Sequence, residues 1–197
     1  MPEEIEAKMK IADPEAFRRR MAGCGAAGGG TVFEVNHIFD SADGSLRKSG
    51  AAIRVREEQR AAGGEVFRTI LTYKGPRQPG RLKRRAEVET PVADGAAILS
   101  ILQALGYVET FHFEKRRTAW RLGECEVVLD ELPHIGWFAE VEGPSEKAVQ
   151  KVLADLGPAD TPIVQETYMR LLADDLAARG RDPARAVFAA GSGGSVA

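Results

Sequence analysis

The sequence predicts an α+β protein: a closed antiparallel β-barrel of about eight strands with helices packed outside. Three observations point there. Charged and apolar residues alternate with period two in about eight segments, most connections between those segments are short, and three amphipathic helical patterns are available to cover apolar strand faces. The alternation is strictest at the start, where residues 4 to 11 read Glu, Ile, Glu, Ala, Lys, Met, Lys, Ile. That strand has one charged face and one apolar face.

The following elements take their bounds from local chemistry. Asp13-Pro14-Glu15 opens a helix with a capping acid, a proline at the first helical position and an acid in the first turn; Phe17 and Met21 form its apolar stripe. The glycine-rich stretch from Gly23 to Gly30 reads as a flexible connection, and without a following Gly-Lys-Ser/Thr it is not a P-loop. Thr31 to Phe39 is a strand and residues 40–44 a turn. Ala51 to Glu58 places Arg54 and Arg56 opposite Ile53 and Val55, and Gly63-Gly64 turns the chain into Glu65 to Lys74, which carries Thr72 and Lys74 on one side. Past a loop with Arg77 and Arg81, Leu82 to Thr90 sets Arg85, Glu87 and Glu89 in phase.

Asp94 caps a helix whose inner face is Ile98, Ile101, Leu102 and Leu105, stopped by Gly106. Tyr107 to Arg121, with Phe111, Phe113, Lys115 and Arg117 in phase, precedes two shorter strands, Glu124 to Asp130 and Trp137 to Glu142. Ser145-Glu146 opens a helix with Val149, Val152, Leu153 and Leu156 inward, and Glu166 to Arg179 is a closing helix carrying Tyr168, Leu171, Leu172 and Leu176. One domain over residues 1–179 is expected, followed by a disordered low-complexity tail over 180–197.

Composition narrows the function classes. With 27 basic and 29 acidic residues the net charge is -2, which argues against a protein that coats nucleic acid. Cys24 and Cys125 stand alone, as in a reducing compartment, and no apolar run is long enough to span a bilayer. The start of the chain lacks the apolar stretch of a signal peptide, so the expectation is a cytoplasmic protein with no membrane partner.

If the apolar faces are covered by helices from outside, the charged faces look into the barrel. The in-phase positions contribute the bases Lys8, Lys10, Arg54, Arg56, Lys74, Arg85, Lys115 and Arg117, and the acids Glu4, Glu6, Glu87, Glu89, Asp130, Glu140 and Glu142. Enclosing so many charges is prohibitive unless they are paired, wet or bound to a ligand. Bases suit phosphate oxygens, whereas clustered acids need a cation, and oxygen-only carboxylate sites favour Mg²⁺ or Mn²⁺. A divalent ion bridging carboxylates to a polyphosphate satisfies both sets.

These residues carry a resemblance. The chain resembles the CYTH superfamily, the triphosphate tunnel metalloenzymes, which include class IV adenylate cyclases, thiamine triphosphatases and inorganic triphosphatases. The matching pieces are Glu4-x-Glu6-x-Lys8, then Phe39-Asp40 with Leu46 and Ala52-x-Arg54-x-Arg56, then Thr72-x-Lys74-Gly75-Pro76 and Arg85-x-Glu87-x-Glu89. They continue with Lys115-x-Arg117, Leu129-Asp130 and Gly136-x-Phe138-x-Glu140-x-Glu142. The resemblance implies a triphosphate tunnel in which Glu4, Glu6, Glu140 and Glu142, with Glu89, bind Mg²⁺ or Mn²⁺. It places Glu4, Glu6, Lys8, Glu87 and Asp130 in catalysis, and Lys8, Lys10, Arg54, Arg56, Lys74, Arg85, Lys115 and Arg117 on the substrate.

The implied substrate is a triphosphate-containing small molecule: ATP cleaved to cyclic AMP and pyrophosphate by a cyclase, or tripolyphosphate, thiamine triphosphate or a nucleoside triphosphate hydrolysed by a triphosphatase. The closing helix favours the cyclase-like branch, in which dimers occur, so a homodimer is an open expectation; this chain departs from that branch with Thr167 for Ser and Arg170 for Glu. A non-catalytic polyphosphate-binding module would need the bases but not the carboxylates. His37, His112 and His134 are scattered without a nucleophile partner, Trp120, Trp137, Phe111 and Phe113 read as packing, and so does Tyr168.

Overall fold

The chain closes a ring of eight antiparallel strands, described here from a computed structural model over residues 3–156 and 162–189. The strands are β1 (Glu3–Ile11), β2 (Ala27–Ser41), β3 (Ala52–Gln59), β4 (Val66–Gln78), β5 (Lys83–Val92), β6 (Tyr107–Leu122), β7 (Cys125–Leu132) and β8 (Gly136–Gly143). Their spatial order is β2-β3-β4-β5-β1-β8-β7-β6, and β6 returns to β2 along a seam from Ala27 opposite Arg121 to Ser41 opposite Tyr107. Closure pairs every ring strand on both sides over part of its length.

The ring is inside-out relative to an ordinary soluble barrel. Ile5, Ala7 and Met9 of β1 face outward and are buried beneath α1 (Pro14–Gly23) and α4 (Glu146–Leu156), against Phe17, Met21, Val149 and Val152. Each large apolar side chain covered this way contributes about 1.5–3 kcal/mol, and that sets which strand face turns out. The alternation then turns Glu4, Glu6 and Lys8 inward. A second outer layer forms where α3 (Gly95–Ala104) sets Leu102 against Phe39 and Val55. The caps expected from sequence are in place: the Asp13 carboxylate accepts from Ala16 N at 2.9 Å and that of Asp94 from Ala97 N at 2.9 Å.

Helix α5 (Tyr168–Ala178), capped by Thr167, closes one end of the ring. At that end the inward positions become apolar, and Ile38, Phe113, Leu132 and Phe138 pack against Tyr168, Leu172 and Leu176.

Three segments differ from expectation. The glycine-rich stretch is not a loose connection, since Ala27 to Gly30 belong to β2 and pair with β6. Gly28 and Gly29 take φ of 112° and 104°, and a Cβ on either would stand 2.9 Å from Ala119 O or Trp120 Nε1; only glycine allows this irregular, close pairing. Residues expected to be only a turn lead into a one-turn helix, α2 (Ser45–Ser49), because the Asp40 carboxylate accepts from Leu46 N and Arg47 N. Part of the expected tail is structured: β9 (Arg185–Ala186) pairs in parallel with His112 and Phe113, and the Phe188 ring lies 6.1 Å from that of Phe33. The remainder of that tail, residues 190–197, lies outside the described residues.

Candidate active site in the tunnel

The inward faces line a cavity of about 670 Å³. Its inner end is formed by Ile38, Phe113, Thr167, Tyr168 and Met169, and its opposite rim by the exposed Glu3, Arg121, Glu124 and Glu126. Around the wall stand Glu4, Glu6 and Lys8 from β1, Arg54 and Arg56 from β3, Lys74 from β4, and Lys83, Arg85, Glu87 and Glu89 from β5. Lys115 and Arg117 come from β6, and Glu140 and Glu142 from β8.

One side of the wall is basic. Arg117 donates to Asp130 at 2.6 and 2.7 Å and to Glu140 at 2.7 Å, while Lys115 lies 3.2 Å from Asp130 and 3.3 Å from Glu34. Asp130 and Glu34 are essentially inaccessible. Against the burial that opposes ionisation, Asp130 and Glu34 hold the Arg117 guanidinium charged; Lys115, Arg117 and Arg56 hold the Glu34 carboxyl ionised. Lys115 itself is pushed down by burial and by Arg117 beside it. Arg54 lies 3.8 Å from Glu87 and donates to Thr72 Oγ1 at 3.4 Å, and Arg56 reaches Glu58 at 3.4 Å and Glu34 and Glu89 at 3.9 Å. The Nε groups of both arginines are buried without a well-aligned hydrogen bond among the described residues, that of Arg56 having only its 3.4 Å ion pair with Glu58. Such donors cost about 1–3 kcal/mol each when left unmet, more when charged, so this wall carries positive charge that the described residues neutralise only in part.

The other side is acidic. Lys74 bridges Glu4 at 3.1 Å and Glu87 at 2.5 Å, and Lys83 donates to Glu6 at 2.9 Å. Burial and the neighbouring Glu4 push the Glu142 carboxyl up to about 7, although solvent reaches it through the lumen. Glu4 is also pushed up, by burial first, with Lys74 opposing and Glu87 adding to the shift. Lys83 is lowered to about 8 by burial, with Lys8 adding to the shift and Glu6 opposing it. Glu140 differs from Glu142: despite burial, Lys8 at 3.2 Å and Arg117 hold it well below the usual carboxylate range.

Two expected site residues lie elsewhere. Lys10 keeps the inward phase of β1, but it pairs with Phe138 at the apolar end, where its Nζ contacts Ile135 O and lies 4.2 Å from the Phe138 ring centroid. It does not line the cavity, because α5 closes the tunnel before Lys10 is reached. Asp130 is behind the wall, bonded to both β6 bases, and does not line the cavity either. The other expected residues all do. Sequence reasoning missed Glu34 and Lys83. Lys83 was in phase with Arg85 and Glu87, whereas β2 carries polar residues on both faces, which hid Glu34. It also read Tyr168 as packing alone. The Tyr168 ring lies 3.7 Å under Lys8 Nζ, and its buried hydroxyl has no partner among the described residues.

An inside-out eight-stranded ring with an acidic and a basic wall is the architecture the signature motifs implied. Residues 2–163 match the CYTH domain. The chain belongs to the CYTH family. Among its CYTH-like relatives are a candidate adenylate cyclase of Methanocaldococcus jannaschii, 25% identical over 85% of this chain and 97% of the relative, and the adenylate cyclase CyaB of Aeromonas hydrophila, 31% identical over 70% of this chain and 67% of the relative. The fold also matches a solved structure from Hippeastrum with a TM-score of 0.64 at 17% identity, covering 92% of this chain and 97% of the other. That protein is described as a candidate adenylyl cyclase with a dominant triphosphatase activity.

Proposed function

We propose that this CYTH protein is a divalent-metal-dependent enzyme that turns over a triphosphate inside the tunnel, with class IV adenylate cyclase chemistry, ATP to cyclic AMP and pyrophosphate, as the leading reaction. The observation that carries the reading is the pairing of unmet guanidinium donors on Arg54 and Arg56 with crowded carboxylates at Glu4 and Glu142 across the same lumen. The chain meets these groups only in part, through Thr72, Glu58 and Lys74; a metal-bound polyphosphate satisfies both sets.

The carboxylates fit such a metal. Glu4, Glu6 and Glu142 are oxygen donors, the donor type that suits Mg²⁺ or Mn²⁺, and burial with acidic neighbours (Glu87 for Glu4, Glu4 for Glu142) pushes two of these carboxyls up, which a bound cation would relieve. When bound there, the ion would neutralise charge on phosphate oxygens as a Lewis acid. Glu87 and Glu89 stand beside Lys74 and Arg56 as auxiliary acids at the β5 wall, and Glu140 orients Lys8 and Arg117.

The chain's own bases do the rest of the positioning. Arg54, Arg56, Lys8, Lys115 and Arg117 hold non-bridging oxygens, and Arg85 and Lys74 extend the clamp along β5 and β4. Asp130 and Glu34 lock Lys115 and Arg117 in place before substrate arrives, so little reorganisation is left for the reacting complex. In the cyclase reaction the ribose 3′-hydroxyl attacks the α-phosphorus, the bond to the β-phosphate oxygen breaks, and the leaving pyrophosphate takes up charge facing these bases. Cyclase leads because two relatives carry that name. Hydrolysis of a terminal phosphate by water is the second reading, supported by the activity described for the Hippeastrum protein.

Phosphorus NMR with Mg²⁺ or Mn²⁺ tests the proposal. Cyclic AMP plus pyrophosphate from ATP is the expected result. Orthophosphate from tripolyphosphate or thiamine triphosphate, with ATP nearly untouched, makes it a triphosphatase, and no product from any of them leaves a binding module.

A further inference from the structure

Two of the three histidines, read singly from sequence as inert, are neighbours. His37 of β2 and His112 of β6 face each other directly across the seam that closes the ring, their rings edge-on with centroids 4.9 Å apart. Glu109 joins them through an irregularity in that seam. Ile38 pairs with Phe111 but the next residue, Phe39, pairs with Glu109, so Thr110 is an extra residue on β6. In a regular strand residues 109 and 112 point to opposite faces; one extra residue puts them on the same face. The Thr110 hydroxyl donates to Ile38 O at 3.3 Å within this irregularity.

We propose that His37, His112 and Glu109 form a second metal site, outside the tunnel, that takes a zinc-class divalent ion through two imidazole nitrogens and one carboxylate oxygen. Glu109 Oε1 is 3.0 Å from His37 Nδ1 and 3.3 Å from His112 Nδ1, and one donor atom from each residue lies within 4.8 Å of the others. A tetrahedral ion with ligand bonds of about 2.0–2.1 Å spaces its ligand atoms by about 3.3 Å, so small rotations of these side chains suffice. The histidine side chains are 14% and 15% exposed and that of Glu109 34%, so the group is positioned yet reachable from solvent, with a fourth coordination position left for water. Burial, His37 and Arg185 favour the neutral form of His112, the form that ligates.

This donor set differs in kind from the tunnel's. Imidazole nitrogen favours zinc, cobalt or nickel strongly over magnesium, whereas all-carboxylate oxygen is a donor set that also suits magnesium or manganese. Arg185, opposite His112 in the parallel β9 pairing, is the nearby charge that opposes a cation. An ion here would clamp β2 to β6, the strands that carry Glu34, Lys115 and Arg117.

The test is titration of the chelator-treated full chain with Co²⁺, followed by visible absorption, then with Zn²⁺. One equivalent of Co²⁺ should give the intense ligand-field band of a four-coordinate nitrogen-ligated ion, displaced by Zn²⁺ but not by excess Mg²⁺. The band should persist in a Glu4→Gln, Glu6→Gln variant, disappear in His37→Asn and in Glu109→Gln, and form at lower Co²⁺ in Arg185→Ala. Glu109 is surface-facing, so Glu109→Gln keeps the test open if a histidine variant fails to fold. Absence of the band at stoichiometric Co²⁺, or its survival in both His37→Asn and Glu109→Gln, overturns the proposal.

Discussion

On the β2–β6–β7 side of the tunnel Lys115 and Arg117 stand on buried carboxylates; on the β1–β5–β8 side partly exposed carboxylates crowd around Lys74 and Lys83. Arg117 and Lys115 rest on Asp130 and Glu34, and the whole group is closed off from solvent except at the lumen. Burial and then the neighbouring acids, Glu4 foremost, push the Glu142 carboxyl up, with Lys74 opposing. Under the proposed function, the difference lets one lumen serve two opposite ligand charges. The basic side is preorganised by the chain itself, while the acidic side would be completed by a bound ion.

The contrast is most easily broken at Asp130. Asp130→Ala leaves Lys115 and Arg117 buried without their main counter-charge, and removing one partner of a buried pair typically costs about 3–5 kcal/mol; urea denaturation should show a loss of that size. Next in size, Arg54→Ala should lower kcat/KM by roughly 10- to 100-fold, the worth of one charge-assisted contact of about 1.5–3 kcal/mol. Its urea midpoint should change little, because the contacts it loses, a 3.8 Å ion pair to Glu87 and a 3.4 Å hydrogen bond to Thr72, are both long.

The acidic side carries the pH dependence. The folded pKa of Glu142 is raised above its unfolded value, so between about 4.5 and about 7 the folded state binds more protons than the unfolded one. Stability from this group is therefore fully present at low pH and is lost as pH rises through about 7. Thermal melts of metal-free protein should show this decline, and Glu142→Gln or added Mg²⁺ should flatten it. The smallest effect is expected at Lys10. Lys10→Ala removes a charge beyond the closed end of the tunnel and should leave kcat/KM within about twofold, as steady-state kinetics would show.

Much of this site was legible because period two holds along the ring strands wherever they carry the lumen residues. Once β1 was oriented by Ile5, Ala7 and Met9, the inward residues of its neighbours followed from pairing. Lys10 marks where that reasoning stops: alternation assigns a face but not the depth at which α5 ends the lumen. Asp130 shows a second limit, since an inward phase does not say whether a carboxylate reaches the lumen or is consumed by a neighbouring base. Glu34 escaped because both faces of β2 mix polar and apolar residues, one inside the ring and one beneath an outer layer. The histidine pair needs cross-strand register, and Glu109 needs a one-residue irregularity that no residue pattern announces. The glycines of β2 misled for the opposite reason: a composition typical of loops served a close strand pairing.

The most direct test of the two-sided tunnel is metal-dependent turnover of ATP and tripolyphosphate by the Glu4→Gln, Glu6→Gln double variant, with its fold verified by circular dichroism. The account predicts a native spectrum and no metal-dependent product. Turnover retained at the wild-type level in a folded double variant would contradict it, because the acidic wall would then not be where the metal acts.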